Sequence, residues 1–141
     1  MRIDGKVVLI TGASDGIGAA CAAEFAAAGA RLSLTARSAE GLARAGGASA
    51  LITAGDLTLE ETRRRAVERT LERFGVIDVL INDAGVGVYG QSWNASMDDV
   101  RQMMELNFFA LLGMIQLVTP HTVSYTHLDV YKRQSKGREP Y

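Results

Sequence analysis

The chain has 141 residues, of which 48% are hydrophobic, 22% charged and 6% aromatic, and its formal net charge is −1. These values exclude a disordered or collagen-like chain and give no electrostatic reason to expect nucleic acid or an anionic membrane as partner. The single cysteine, Cys21, excludes an internal disulfide framework and a cysteine-based metal site. With no uninterrupted apolar run of ~18 residues and no signal-peptide pattern over residues 1–5, a soluble cytoplasmic α/β protein without a resident metal is expected.

Strand and helix signals then alternate. Residues 6–11 form a short apolar, β-branched run ending at Gly12, as expected of a strand buried on both faces of a parallel sheet. Residues 17–28 are rich in alanine, set Ile17, Cys21 and Phe25 four residues apart and stop at Gly29, which predicts a helix closed by a glycine. A second strand is expected over 31–36, and Ser38 can cap a short helix that fades at Gly46 and Gly47. A third strand follows over 49–54. Thr58 with Glu61 reads as a capping box opening a helix to about Phe74. Residues 77–82 are a fourth strand. Ser96, with Asp98 and Asp99 in the first turn, caps a long helix expected to end before Pro120. The order βαβαβαβα predicts a doubly wound parallel sheet with right-handed crossovers.

Between the first strand and first helix lies Thr11-Gly12-Ala13-Ser14-Asp15-Gly16-Ile17-Gly18. Glycines there let the backbone turn tightly and approach a pyrophosphate, while the helix N-terminus offers free N–H groups and partial positive charge. The spacing is GxxxGxG rather than GxGxxG. With a strand before it and a helix after it, the loop reads as a nucleotide site on a Rossmann-type fold; the alternative is a plain strand-to-helix turn.

On this loop the sequence resembles the short-chain dehydrogenase/reductase family, whose first turn reads TGxxxGxG. The resemblance spans residues 1 to about 122. Asp56-Leu57 matches the family's acidic position at the adenine ring. Asn82-Asp83-Ala84-Gly85 matches its NNAG turn with Asp83 in place of the second asparagine, and Asn107 falls where the family keeps a helix asparagine. The resemblance implies cofactor contacts from Gly12, Ser14, Asp15, Gly16, Ile17, Gly18, Arg37, Asp56, Leu57, Asn82, Ala84 and Gly85. It also implies a catalytic role for Asn107, holding a water in a proton relay. Taken singly, Asp56 could be a turn residue before Thr58, Asn82 to Gly85 a strand-end turn, and Asn107 a solvated helix residue.

The end of the second strand would face the adenosine ribose. A carboxylate there would favour NAD(H); this chain has Ala36 followed by Arg37, and an arginine suits a 2′-phosphate. NADP(H) is therefore favoured over NAD(H), although Asp15 stands where many NADP-using relatives carry a base.

Carbonyl reduction needs a proton donor beside the hydride donor. The family supplies it with a serine and a YxxxK pair. Here Tyr125 has Asp129 four residues on and Tyr131 has Ser135, so neither tyrosine has the lysine. Composition also shifts at this point: residues 1–122 carry one lysine against ten arginines, whereas the last nineteen hold two of each and three of the four tyrosines. Residues 123–134 resemble a translated transposase mosaic-end adapter joined to its own reverse complement, since one back-translation is an inverted repeat. Residues 1–122 are thus read as an incomplete NAD(P)-binding domain and 123–141 as an artefactual tail, not a domain.

The resulting expectation is a short-chain oxidoreductase passing hydride between NADP(H) and a carbonyl or alcohol substrate, truncated and inactive as written. Its intact parent would be a cytoplasmic homo-oligomer. The alternative is a non-catalytic dinucleotide-binding or redox-sensing module on the same fold. The sequon at Asn94 and the basic run Arg63-Arg64-Arg65 are read as a helix approach and a solvated, salt-bridged face.

Overall fold

A computed structural model describes residues 2–122. The adapter-like segment 123–134, the tyrosine spacings at Tyr125 and Tyr131, and residues 135–141 lie outside the described residues. The elements in chain order are β1 (Val7–Thr11), α1 (Gly16–Ala27), β2 (Arg31–Ala36), α2 (Ala39–Gly46), β3 (Leu51–Ala54), α3 (Glu60–Phe74), β4 (Val79–Asn82), α4 (Met97–Met104) and α5 (Leu111–Thr122). A short 3-10 turn occupies Ser92–Asn94, and a π-helical segment, Glu105–Ala110, joins α4 to α5.

The four strands form one parallel sheet in the order β3-β2-β1-β4. Val7 pairs with Arg31, Val8 with Val79, and Ser33 with Leu51, so the strands end nearly level at their C-terminal edge. β1 is central and wholly buried. Its alternate residues feed two cores: Val8 and Ile10 join Ala22, Leu34 and Leu42 under α1 and α2, while Leu9 joins Val67, Ile77, Met114 and Val118 under α3 and α5. This is the doubly wound, Rossmann-type architecture expected. On the α3 side the Ser33 and Thr70 hydroxyls meet at 2.7 Å, and Thr70 also donates to Ala66 O, so these two buried hydroxyls are satisfied.

The two outer strands differ. α3 lays Arg65 and Arg69 along β3, where Arg65 Nη2 donates to Ala54 O (2.9 Å) and Arg69 Nη1 to Ile52 O (2.8 Å). β4 is half-buried throughout, and beside it lies a groove of about 460 Å³ between Leu80 and Asn82 on the strand and Leu111, Ile115 and Val118 on α5. At the start of β4, Asp78 accepts from Lys6 Nζ and from Val7 N–H, both at 2.8 Å. These two bonds, with the charges of Lys6 and Arg31, hold its carboxyl below the usual range despite partial burial.

Three local expectations are corrected. Thr58 does not cap α3; the N-cap is Leu59 without a side-chain bond, because the Thr58 N–H and hydroxyl both donate to Asp56 Oδ1. A charged acceptor two residues away outcompetes the helix terminus. The last helix runs through Pro120 to Thr122, giving up only the one N–H that proline lacks in its final turn. The segment Met97–Thr122 is 26 residues with a window of mean hydropathy 1.3, long and apolar enough to cross a membrane by length and composition. Counting uninterrupted apolar runs missed it because Asn107, Gln116 and Thr119 punctuate it. In this fold it packs on the sheet through Ala110, Met114 and Val118.

Candidate functional site

A cleft of about 880 Å³ opens at the C-terminal ends of β1, β2 and β4. In a doubly wound sheet this is the edge where the strand order reverses and ligands bind. Here the reversal lies between β2 and β4 on either side of β1.

One end of the cleft is built from backbone. Gly12 has φ +69°, and a Cβ on it would lie 2.7 Å from Ala84 N and 2.8 Å from Ala84 Cα. Only glycine allows both the left-handed conformation and the contact. Thr11 Oγ1 locks the same junction by accepting from Asp83 N–H (3.1 Å) and Ala84 N–H (3.2 Å). A Cβ on Gly18 would meet Gly12 O at 2.6 Å and Asp83 Oδ2 at 2.8 Å, so α1 starts against both turns. Asp15 caps α1 by accepting from Gly16 N–H at 2.8 Å. Gly16, at φ +58°, has nothing within 4 Å of where its Cβ would be, which leaves open space beside the helix N-terminus.

The other end is built from side chains. Ala36 at the end of β2, with Arg37 and Ser38 after it, enters the cleft wall, and Gly55 and Leu57 follow β3. Leu57 is buried, while Arg37 is exposed. Asp56 turns its carboxylate onto Thr58. The Thr58 N–H, then its hydroxyl, and the charge of Arg37 hold the Asp56 carboxyl below its ordinary value against a small opposing effect of burial.

Of the thirteen residues expected at the site, nine line this cleft: Gly12, Ser14, Asp15, Gly16, Ile17, Arg37, Leu57, Ala84 and Gly85. Gly18 packs behind the loop. Asp56 is turned to Thr58, and Asn82 lines the groove beside β4. Asn107, in the π-helical segment, uses both ends of its amide on one residue: Val86 N–H donates to its Oδ1 (2.9 Å), and its Nδ2 donates to Val86 O (2.8 Å). It thereby fixes the wall at Gly85 and Val86. The sequence reading missed Gly55, Val86, Tyr89 and Leu106 as lining residues, and it named Asp83 only as a departure from the family's turn. Val86 and Leu106 were findable only through the long-range contact of Asn107.

The cleft fits a dinucleotide in three respects. Its volume is in the usual range for ligand sites, its glycine loop presents backbone N–H groups at a helix N-terminus, and Arg37 offers a cation at the far end. Among the described residues no cluster of histidine, cysteine or carboxylate side chains could hold a metal ion.

The comparisons agree with this geometry. The family profile described as short chain dehydrogenase matches residues 6–137. The chain is 34% identical over 146 residues to 11-beta-hydroxysteroid dehydrogenase A of Sesamum indicum, covering 96% of this chain and 38% of that protein. Its fold is similar to a 3-ketoacyl-(acyl-carrier-protein) reductase from Brucella melitensis complexed with NADH (33% identity, TM-score 0.81, 84% of this chain and 51% of that one). It is similar also to a short chain dehydrogenase/reductase from Burkholderia phymatum in complex with NAD (30% identity, TM-score 0.81, 86% and 46%). The chain spans between 38% and 52% of the length of the curated relatives it matches. Sheet order, glycine loop and sequence match together make the chain a member of the short chain dehydrogenase family.

Proposed function

We propose that residues 1–122 are the dinucleotide-binding part of an NAD(P)-dependent oxidoreductase that moves hydride between NADP(H) and a small carbonyl or alcohol substrate. The observation that carries this reading is the interlocked junction of Gly12, Gly18 and the Asp83–Ala84 turn, which leaves open space beside Gly16 at the start of α1. Gly16 would leave room for the pyrophosphate, and Ile17 would hold it through its backbone N–H. Arg37 would hold the 2′-phosphate, and Leu57 would pack on the adenine. The bound nicotinamide supplies the hydride chemistry. Asn107 would act by fixing Gly85 and Val86 at that end of the cleft, with any water of a proton relay held beside it.

The preference for NADP(H) rests on Arg37 and on the missing acid at Ala36. The two solved relatives named above hold NADH and NAD, so the preference is a property proposed for this chain. Because neither Tyr125 nor Tyr131 carries the lysine of a YxxxK pair, polypeptide 1–141 should not turn over a carbonyl substrate. The protein would work in the cytoplasm and assemble as a homo-oligomer.

Fluorescence titration of purified 1–141 with NADPH and NADH tests the reading. Saturable binding of both, tighter for NADPH, is expected. A folded protein that binds neither would sink the cofactor assignment, and NADH binding more tightly would sink the NADP(H) preference. NADPH-linked turnover by 1–141 would refute the inactivity.

A further inference from the structure

Among the described residues that line the cleft, the single cation is Arg37, and it lies at the β2 end. The glycine-loop end holds two carboxylates. Asp15 is committed as the cap of α1 through its bond to Gly16 N–H. Asp83 is fixed by its backbone, through its N–H to Thr11 Oγ1, and its carboxylate reaches over the first turn of α1, where Oδ2 lies 2.8 Å from the position of a Gly18 Cβ. Among the described residues its carboxylate has no ion-pair partner within 4.0 Å. A charge so placed has two effects of opposite sign. It is favourable to the positive end of the α1 dipole. It also competes for that same positive end with any anionic ligand and repels it.

Resting on the cofactor reading, we infer that Asp83 is an affinity-setting residue: it stabilises the start of α1 while weakening the hold of the cleft on the pyrophosphate of either dinucleotide. The neutral side chain of Asp83→Asn keeps the shape and removes the repulsion. Dinucleotide affinity should rise by about three- to tenfold at low ionic strength, equally for NADPH and NADH. The gain should shrink as salt screens it. Adenosine 2′-monophosphate, which has no pyrophosphate, should bind the variant and the parent alike. Thermal stability of the free protein should fall slightly, because α1 loses its counter-charge.

The test is titration of folded 1–141 and its D83N and D83S variants with NADPH, NADH and adenosine 2′-monophosphate at low and high salt, beside their melting temperatures. Tighter dinucleotide binding with a lower melting temperature supports the inference, since a merely structural role would lower both. Unchanged or weaker dinucleotide binding in both neutral variants overturns it while leaving the cofactor reading intact. If folded parent and folded variants all fail to bind NADPH and NADH, both readings fall together. The serine variant keeps the test decisive if the asparagine variant does not fold.

Discussion

The two ends of the cleft are made of different material. At the glycine-loop end the surfaces in contact are main chain: Gly12 against Ala84, Gly18 against Gly12 O, and the Val86 peptide held by Asn107. At the β2–β3 end the features are side chains in or near solvent, with Arg37 close enough to help hold the Asp56 carboxyl below its ordinary value. The first end admits little change at Gly12 and Gly18, because a Cβ there would run into the main chain of Ala84 and Gly12, which cannot step aside. The second can exchange one functional group for another without disturbing the sheet. A shared ligand core and a tunable periphery are the expected outcome.

The largest expected effect breaks the first end. Gly12→Ala combines a strained positive φ with a Cβ overlapping Ala84, and should cost about 3 kcal/mol or more of unfolding free energy. Urea unfolding would measure it, and a loss under 1 kcal/mol would show the junction to be softer than its packing suggests. Next comes Asn107→Ala, which removes two bonds to Val86 and should cost about 1 kcal/mol, given their exposure. Asn107→Asp should be at least as harmful, since it keeps the acceptor for Val86 N–H but sets a carboxylate oxygen against Val86 O; equal stability of Asp and Asn would deny the two-sided bond. At the second end Arg37→Ala should leave stability unchanged and weaken NADPH about tenfold. Its effect on NADH should be negligible, and equal losses for both dinucleotides would contradict the assignment.

The smallest effect is the acid response of Asp56. Its folded-state carboxyl titrates below the ordinary value, so its contribution is present above the unfolded pKa of about 3.9 and is lost as pH falls through the lower folded value. The Thr58 amide resonance should move in that window, while that of Val86, bonded to the neutral amide of Asn107, should not. Movement of both together would erase the distinction between the two ends.

The sheet and the glycine loop were legible because their signals are local. Apolar β-branched runs mark strands buried on both faces, and the glycines at 12, 16 and 18 fall in one turn between a strand and a helix, although the close approach of Gly12 to Ala84 shows only in the folded chain. The start of α3 was misread because two local motifs compete at Thr58, and only the folded turn shows Asp56 winning. The π-helical segment leaves no periodic trace over Glu105–Ala110. Asn107 was recognisable by family resemblance, but its partner Val86 is 21 residues away and no spacing rule connects them. Asn82 was expected at the cofactor, yet it is the last residue of β4 and lines the opposite groove.

The unequal treatment of the outer strands limits how this polypeptide can misassemble. Arg65 and Arg69 occupy outward carbonyls of β3, so an incoming strand would have to displace two charged donors. Among the described residues β4 has no such guard. A sheet adhesive on one side only can join one other sheet, after which nothing open is left to recruit a third. Strand pairing between copies would therefore stop at two, whereas removing both arginines would turn a self-limiting contact into one that propagates into fibres.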